Sequence, residues 1–249
     1  METGELSTHV PATSGRTVVV AVDGPSGSGK SSVSREVARR LGLAFLDTGA
    51  MYRAATWWCL KTGVPLDDTA AVADTVRGLR LVVGVDPTAP TVHVGGHDVA
   101  EAIRETRISS AVSAVATNLD VRAELGRLQR EAIAAESAPA SFSGGRGVVA
   151  EGRDITTVIA PDADVRLLLT ASEEARLARR ARDVHGSDDA AAVAATRDQV
   201  LRRDADDATV STFHTAADGV VTVDSSDLDF EQTVRAVLEV VARATGVRA

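Results

Sequence analysis

The feature that most constrains this chain is an eight-residue run, Gly24-Pro25-Ser26-Gly27-Ser28-Gly29-Lys30-Ser31, set between two apolar patterns of different period. Before it, Thr17-Val18-Val19-Val20-Ala21-Val22 is apolar and rich in β-branched residues without alternation, as in a strand buried on both faces. After it, Val33, Val37 and Leu41 recur every four residues up to Gly42, which marks an amphipathic helix and its stop. The run fits the phosphate-loop pattern G-x-x-x-x-G-K-S/T in full, in the strand–loop–helix context that the pattern requires. Its glycines let the backbone curl until successive N–H groups point into one hollow that accepts phosphate oxygens, and the helix start adds the positive end of its dipole. Lys30 is placed to reach the outer phosphates of a nucleoside triphosphate and the Ser31 hydroxyl to face a magnesium ion. Gly24, Pro25, Ser26, Gly27, Ser28, Gly29, Lys30, Ser31 and Ser32 are the expected donor-binding residues.

The rest of the chain alternates. Strands are expected at Leu43–Leu46, Val148–Glu151, Val165–Thr170 and Val220–Asp224, and helices at 50–61, 172–184 (N-capped by Ser172), 189–203 and 230–244. Five short buried strands separated by helices predict an α/β fold with a parallel sheet covered on both faces. The stretch 63–140 interrupts the alternation with strands at 80–85 and 91–94, the hairpin dipeptide Gly95-Gly96, and helical patterns at 107–116 and 121–135. The expected organisation is a polar, disordered tail over residues 1–16, a core over 17–62 and 141–249, an insertion over 63–140, and an arginine-rich helical excursion over about 179–214.

Composition narrows the class. A net charge of −8 and a pI near 5.2 argue against a nucleic-acid-coating surface. One cysteine, Cys59, excludes a disulfide framework, and no apolar run approaches a membrane span. A cytoplasmic protein is the expectation, with neither membrane nor nucleic acid as partner. Lys30 and Lys61 are the chain's two lysines; every other Lys/Arg position is arginine. Lys61 is explained by the dipole at a helix end. No guanine-reading N-K-x-D occurs, and the strand-end carboxylate of motor ATPases is ambiguous, since Val165–Thr170 ends on Thr170 while Val148–Ala150 reaches Glu151.

Phosphoryl transfer requires alignment and charge neutralisation more than covalent chemistry. A phosphate-monoester acceptor is mostly dianionic at neutral pH, so it needs no general base, and forked guanidinium groups relieve the anion–anion repulsion best. Arg53, Arg153, Arg176, Arg179, Arg180, Arg182, Arg202 and Arg203 suit such a site.

Three elements together are more specific than the loop: Val22 to Ser31, then Leu46-Asp47-Thr48-Gly49-Ala50-Met51-Tyr52-Arg53, then Gly152-Arg153-Asp154 with Thr157-Val158 and Pro161-Asp162-Ala163. They resemble bacterial cytidylate kinases, from about Thr17 to the C-terminal helix. The resemblance implies a P-loop kinase fold with a monophosphate-binding insertion and a helical lid, acting as a monomer. It also implies transfer of the γ-phosphate of ATP, with Mg2+, to CMP or dCMP.

By position, Arg53 and Arg153 resemble the clamp on the acceptor phosphate, and Ser113, Arg122 and Asp154 the residues that read cytosine. Asp47 and Thr48 look like further monophosphate contacts, Arg203 and Asp207 the pair near the sugar, and Arg176, Arg179 and Arg180 the lid arginines over the ATP phosphates. Lys30, Arg53, Arg153 and Arg179 are the implied catalytic residues. Val210 stands where the family usually carries a further arginine, and Ser211 to Ala217 departs from the usual pattern.

Plainer readings stand beside these. Asp23 serves equally as a loop cap or in catalysis, and Arg122 could pair with Glu124 or Asp120. The acids from Asp204 to Asp207 also fit an acidic helix end, and Arg179, Arg180 and Arg182 a solvated face. Trp57 and Trp58 read as packing and Cys59 as a small buried hydrophobe, and His93 with His97, which straddle a turn like a metal pair, have no Cys or carboxylate at the right spacing to complete a site. A nucleotide-dependent switch, or a different P-loop small-molecule kinase, is the competing function.

Overall fold

The computed structural model describes residues 16–248, so the expected tail lies, except for Arg16, outside the described residues. The chain runs β1 (Val18–Asp23), α1 (Lys30–Leu41), β2 (Ala44–Asp47), α2 (Thr48–Thr62), α3 (Thr69–Arg77), β3 (Leu81–Val83), β4 (Val92–Val94), β5 (His97–Asp98), a 3-10 turn (Ala102–Arg104), α4 (Thr106–Ala116) and α5 (Leu119–Ala135). It continues through β6 (Gly147–Gly152), a π-helical turn (Ile155–Ile159), β7 (Val165–Thr170), α6 (Glu173–His185), α7 (Ala190–Ala208), β8 (Val221–Asp224) and α8 (Phe230–Thr245).

Five strands form one parallel sheet in the order β2-β6-β1-β7-β8. Strand β1 is central, with Val20 opposite Val149 on one side and Val165 on the other. Its unbroken apolar run follows from that place. Val18, Val20 and Val22 pack with Val33, Val37 and Leu41 of α1 and Val234, Val237 and Val241 of α8, while Ala21 faces Met51 of α2 and Ile155 on the opposite side. The fifth strand differs from expectation. Strand β8 is a sheet edge, and of its residues only Val223 is buried. The other edge is covered, because the Phe45 amide of β2 donates to the Val85 carbonyl of the insertion (2.8 Å).

Helix α2 is the spine between core and insertion. It is buried almost all round, and its small residues permit close approach on several sides. Met51 joins the sheet face; Tyr52, Ala55 and Cys59 pack against α3, α4 and α5; Ala50 and Ala54 pack against β4 and Ile103. Strands β3, β4 and β5 form a small antiparallel sheet whose Gly95-Gly96 turn has positive φ at both residues (56° and 85°), as a two-residue hairpin requires. Trp57 and Trp58 flank His97, and Lys61 Nζ sits 5.0 Å from the Trp57 ring centre, so this lysine packs on an aromatic face as well as ending a helix. Helix α3, capped by Asp68 onto the Ala71 amide, was not anticipated; its apolar signal is confined to Val72, Ala73 and Val76.

Between core and site stands Asp23, at the end of β1. Its buried carboxylate accepts from the Ile155 amide (2.8 Å), the Thr156 amide (2.9 Å) and the Thr156 hydroxyl (2.6 Å). These bonds cap the π-helical turn that follows Asp154, so Asp23 acts as a loop cap. Asp23→Ala strands three buried donors and is expected to lower unfolding free energy by about 3 kcal/mol. Urea denaturation checks this through a lower midpoint at unchanged m-value.

Candidate functional site

Loop 24–29 leaves β1 and enters α1 at Lys30. Gly27 has φ +76°, and a Cβ there would lie 2.4 Å from the Arg176 carbonyl oxygen, so both conformation and space demand glycine. Helix α1 starts on Gly29 without a side-chain cap, which leaves its first amides open to an anion. The loop borders a cleft of about 640 Å³. Ser26, Gly27, Gly29, Lys30, Ser31 and Ser32 line it at one end, whereas Gly24, Pro25 and Ser28 sit behind as the fold of the loop.

Strands β2 and β6 deliver two carboxylates side by side, Asp47 in register with Glu151. The Ser31 hydroxyl donates to Glu151 Oε1 (2.6 Å), and Lys30 Nζ lies 4.0 Å from Oε2. Burial and the neighbouring Asp47 push the Glu151 carboxyl upward. A hydroxyl and a carboxylate oxygen at the phosphate end suit a hard divalent cation. Glu151 is thus the strand-end carboxylate left ambiguous by the sequence pattern. Asp47 caps α2 onto the Ala50 amide (2.8 Å) and pairs with Arg53 (2.9 Å). The Thr48 hydroxyl donates to the Glu151 carbonyl (2.8 Å). Both residues line the cleft while anchoring α2.

The opposite end is formed by α2, α4 and α5. Arg122 pairs with Asp154 and donates to the Ala116 carbonyl (3.2 Å), with its guanidinium 6.0 Å from the Tyr52 ring centre. It pairs with neither Glu124 nor Asp120, which bind Arg127 and Arg77. Burial raises the Asp154 pKa against the pull of Arg122, and drives the Tyr52 phenol up to about 12. Thr106, Ser109, Val112 and Ala116 of α4 line the cleft, whereas Ser113, one turn beyond Ser109, does not border it in this structure.

Between the ends lies positive charge. Arg153 stacks 4.7 Å from the Phe213 ring centre and donates to Asp207 (3.0 Å), the Gly24 carbonyl (2.5 Å) and Asp204 (3.4 Å). Arg203 lies 3.8 Å from Asp207, and its Nε has no hydrogen-bond partner within the protein. Burial and then the Arg153 charge lower its pKa to about 10. Arg53 also keeps a buried, unpartnered Nε. Arg180 borders the cleft from α6, and among the described residues no carboxylate lies within 4.0 Å of it. Asp207 lines the cleft beside Arg203.

The other two arginines expected over the donor phosphates do not border the cleft in this structure. Arg176 is buried, bonded to Asp204 (2.5 Å) and to the Ser26 carbonyl (2.9 Å). Arg179 turns away from the cleft to the Ser225 hydroxyl (2.9 Å) and carbonyl (2.6 Å). Arg180 points about 100° away from Arg179 and borders the cleft, while Arg176, one turn earlier on the same face, is held inward by Asp204. Arg182 pairs with Asp188 on the surface and Arg202 is exposed. Phe213, which fixes the plane of Arg153, lies in the segment 211–217 that carried no recognisable pattern.

A phosphate loop at the mouth of a parallel α/β sheet, facing a cleft lined with arginines that keep unused donors, defines a nucleotide-binding P-loop protein with room for a second anionic ligand. The family model described as cytidylate kinase matches residues 20–243. A cytidylate kinase of Streptomyces avermitilis is 46% identical over 97% of this chain and 97% of its own length. Cytidylate kinases of Rhodococcus opacus (47%, covering 92% and 97%) and Nocardia farcinica (46%, covering 91% and 94%) are similarly close. The chain belongs to the cytidylate kinase family.

Lys30 supplies the test of the cationic site. Burial and then the Arg153 charge lower its pKa to about 8, with Glu151 acting in opposition. Nucleotide phosphates favour the protonated amine, so binding raises this pKa and takes up protons between about pH 8 and 9. The expected result, from calorimetry of metal-free ATP at pH 8.5 in buffers of different ionisation enthalpy, is net proton uptake that Lys30→Met abolishes. Equal uptake by the variant contradicts the assignment.

Proposed function

We propose that the protein transfers the γ-phosphate of ATP to CMP or dCMP, giving ADP and CDP or dCDP. The observation that carries this reading is the cleft itself: Lys30, Arg53, Arg180 and Arg203 converge between a phosphate loop and a base-sized pocket ended by the Arg122–Asp154 pair. Loop amides and Lys30 hold the donor phosphates. Ser31 and Glu151 would hold Mg2+, which neutralises charge developing on the transferred group. The acceptor phosphate is already a dianion, so Arg53, Arg153 and Arg203 serve to lower its repulsion from the donor and hold it in line. Arg180 reaches the same space from α6.

At the far end, the Asp154 carboxylate accepts from the exocyclic amine of cytosine while Arg122 donates to its ring acceptors. Uracil presents a carbonyl where cytosine has that amine, and would meet Asp154 acceptor to acceptor. Residues 63–140 then serve as the monophosphate-binding insertion and the α6–α7 hairpin as the lid that excludes water. Val210 leaves the sugar end without one arginine, so Arg203 and Asp207 carry the sugar contacts. A non-catalytic switch has no use for arginines on the acceptor side of the loop. A different small-molecule kinase has none for the Arg122–Asp154 pair. Among the described residues no helix is long and apolar enough to cross a membrane. We place the protein in the cytoplasm, as a monomer without a nucleic-acid partner.

A coupled ADP-release assay with magnesium-ATP across CMP, dCMP, UMP, AMP and GMP tests the activity, with fastest turnover expected for CMP and dCMP. Turnover of another acceptor but not of these two overturns the reading. Lys30→Ala is expected to lower kcat by about 10²-fold or more in the same assay. Steady-state kinetics of Asp154→Ala should show the CMP-over-UMP preference reduced at least about tenfold, with KM for ATP within about twofold of wild type.

A further inference from the structure

Asp204 lies near the C-terminal end of α7, where the helix dipole disfavours a carboxylate, and it is 4% exposed. Its cost is offset by what it holds. Oδ1 accepts from the Ser26 amide of the phosphate loop (3.1 Å) and from Arg153 Nη2 (3.4 Å). Oδ2 accepts from Arg176 Nη1 (2.5 Å), and that same nitrogen donates to the Ser26 carbonyl (2.9 Å). The Ser26 residue is therefore gripped at both its N–H and its C=O by one ion pair that spans α6 and α7. Arg153 in turn donates to the Gly24 carbonyl (2.5 Å), at the start of the same loop. One carboxylate thus joins the donor loop, both helices of the hairpin, and an arginine of the acceptor side.

We infer that Asp204 is a positioning residue that couples the two substrate sites: the donor loop and Arg153 are ordered together through its carboxylate. Filling the loop with triphosphate fixes Ser26, hence Asp204, hence the guanidinium plane of Arg153. By linkage the acceptor fixes the loop to the same degree. The inference rests on the reading that Arg153 meets the acceptor phosphate.

The experiment is calorimetric titration of CMP into the full chain, with and without a saturating non-hydrolysable ATP analogue and magnesium. Wild type is expected to bind CMP at least about fivefold more tightly with the analogue present. Asp204→Asn keeps an acceptor for Ser26 but loses the charge that orders the two arginines, and its ratio should fall to within about twofold of unity. A role confined to stability would lower the melting temperature and weaken both titrations together, leaving the ratio at the wild-type value. If Asp204→Asn does not fold, Arg176→Met, which cuts the link from Asp204 to the Ser26 carbonyl, carries the same expectation.

Arg153→Ala separates the premise from the inference. CMP affinity unchanged in that variant overturns the acceptor reading and the coupling with it. Weaker CMP binding there, combined with an undiminished ratio in Asp204→Asn or Arg176→Met, overturns the coupling alone. A wild-type ratio of one also overturns it.

Discussion

Positive charge gathered into one cleft and only partly satisfied by its carboxylates is the constraint around which this molecule is arranged. Lys30, Arg53 and Arg203 face one cleft, and the lowered pKa values of Lys30 and Arg203 express the cost of holding cations together out of water. A fold that accepts such strain must fix the groups by other means. It does so with a rigid parallel sheet whose strand ends deliver Asp47 and Glu151, and with a tight loop that leads into a helix start free of any side-chain cap. On the proposed reading, nucleotide phosphates complete these electrostatics.

Carboxylates divide the arginines into two kinds. Arg176 is fully engaged with Asp204 and Ser26 and works as an internal strut; Arg53, Arg180 and Arg203 keep unused donors toward the cleft. Arg153 lies between these classes, held by Phe213, Asp204 and Asp207 yet bordering the cleft. Asp23 plays the corresponding part beneath the base end, where it fixes the turn that carries Asp154. Helix α2 links the two ends, with Asp47 and Arg53 at the phosphate-loop end and Tyr52 beside Arg122.

Local signals were legible in the sequence because they act over a few residues. The loop's spacing, the four long strands, the Ser172 cap and the Gly95-Gly96 turn all appear where short-range sterics and periodicity put them. Helix α3 was hidden by its brevity and by an apolar face of three residues. Strand β8 matches a buried strand in composition, but its edge position depends on strand order, which no local pattern encodes. The same limit applies within the site. Neighbouring arginines on α6 are chemically alike, and only the packing of α6 on the phosphate loop sends Arg176 inward, Arg179 toward Ser225 and Arg180 into the cleft. Phe213 had no signal at all, since its role exists only once Arg153 lies across it.

The most direct measurement of the central claim is the affinity of a bisubstrate analogue that joins cytidine to adenosine through five phosphates. Such a ligand spans the cationic cleft from the phosphate loop to the Arg122–Asp154 pair. Binding at least about 10²-fold tighter than ATP or CMP alone is predicted, because the second half binds without a second loss of translational freedom and neutralises the remaining arginines. Binding no tighter than the better single nucleotide would contradict a single continuous site built for two phosphate-bearing substrates.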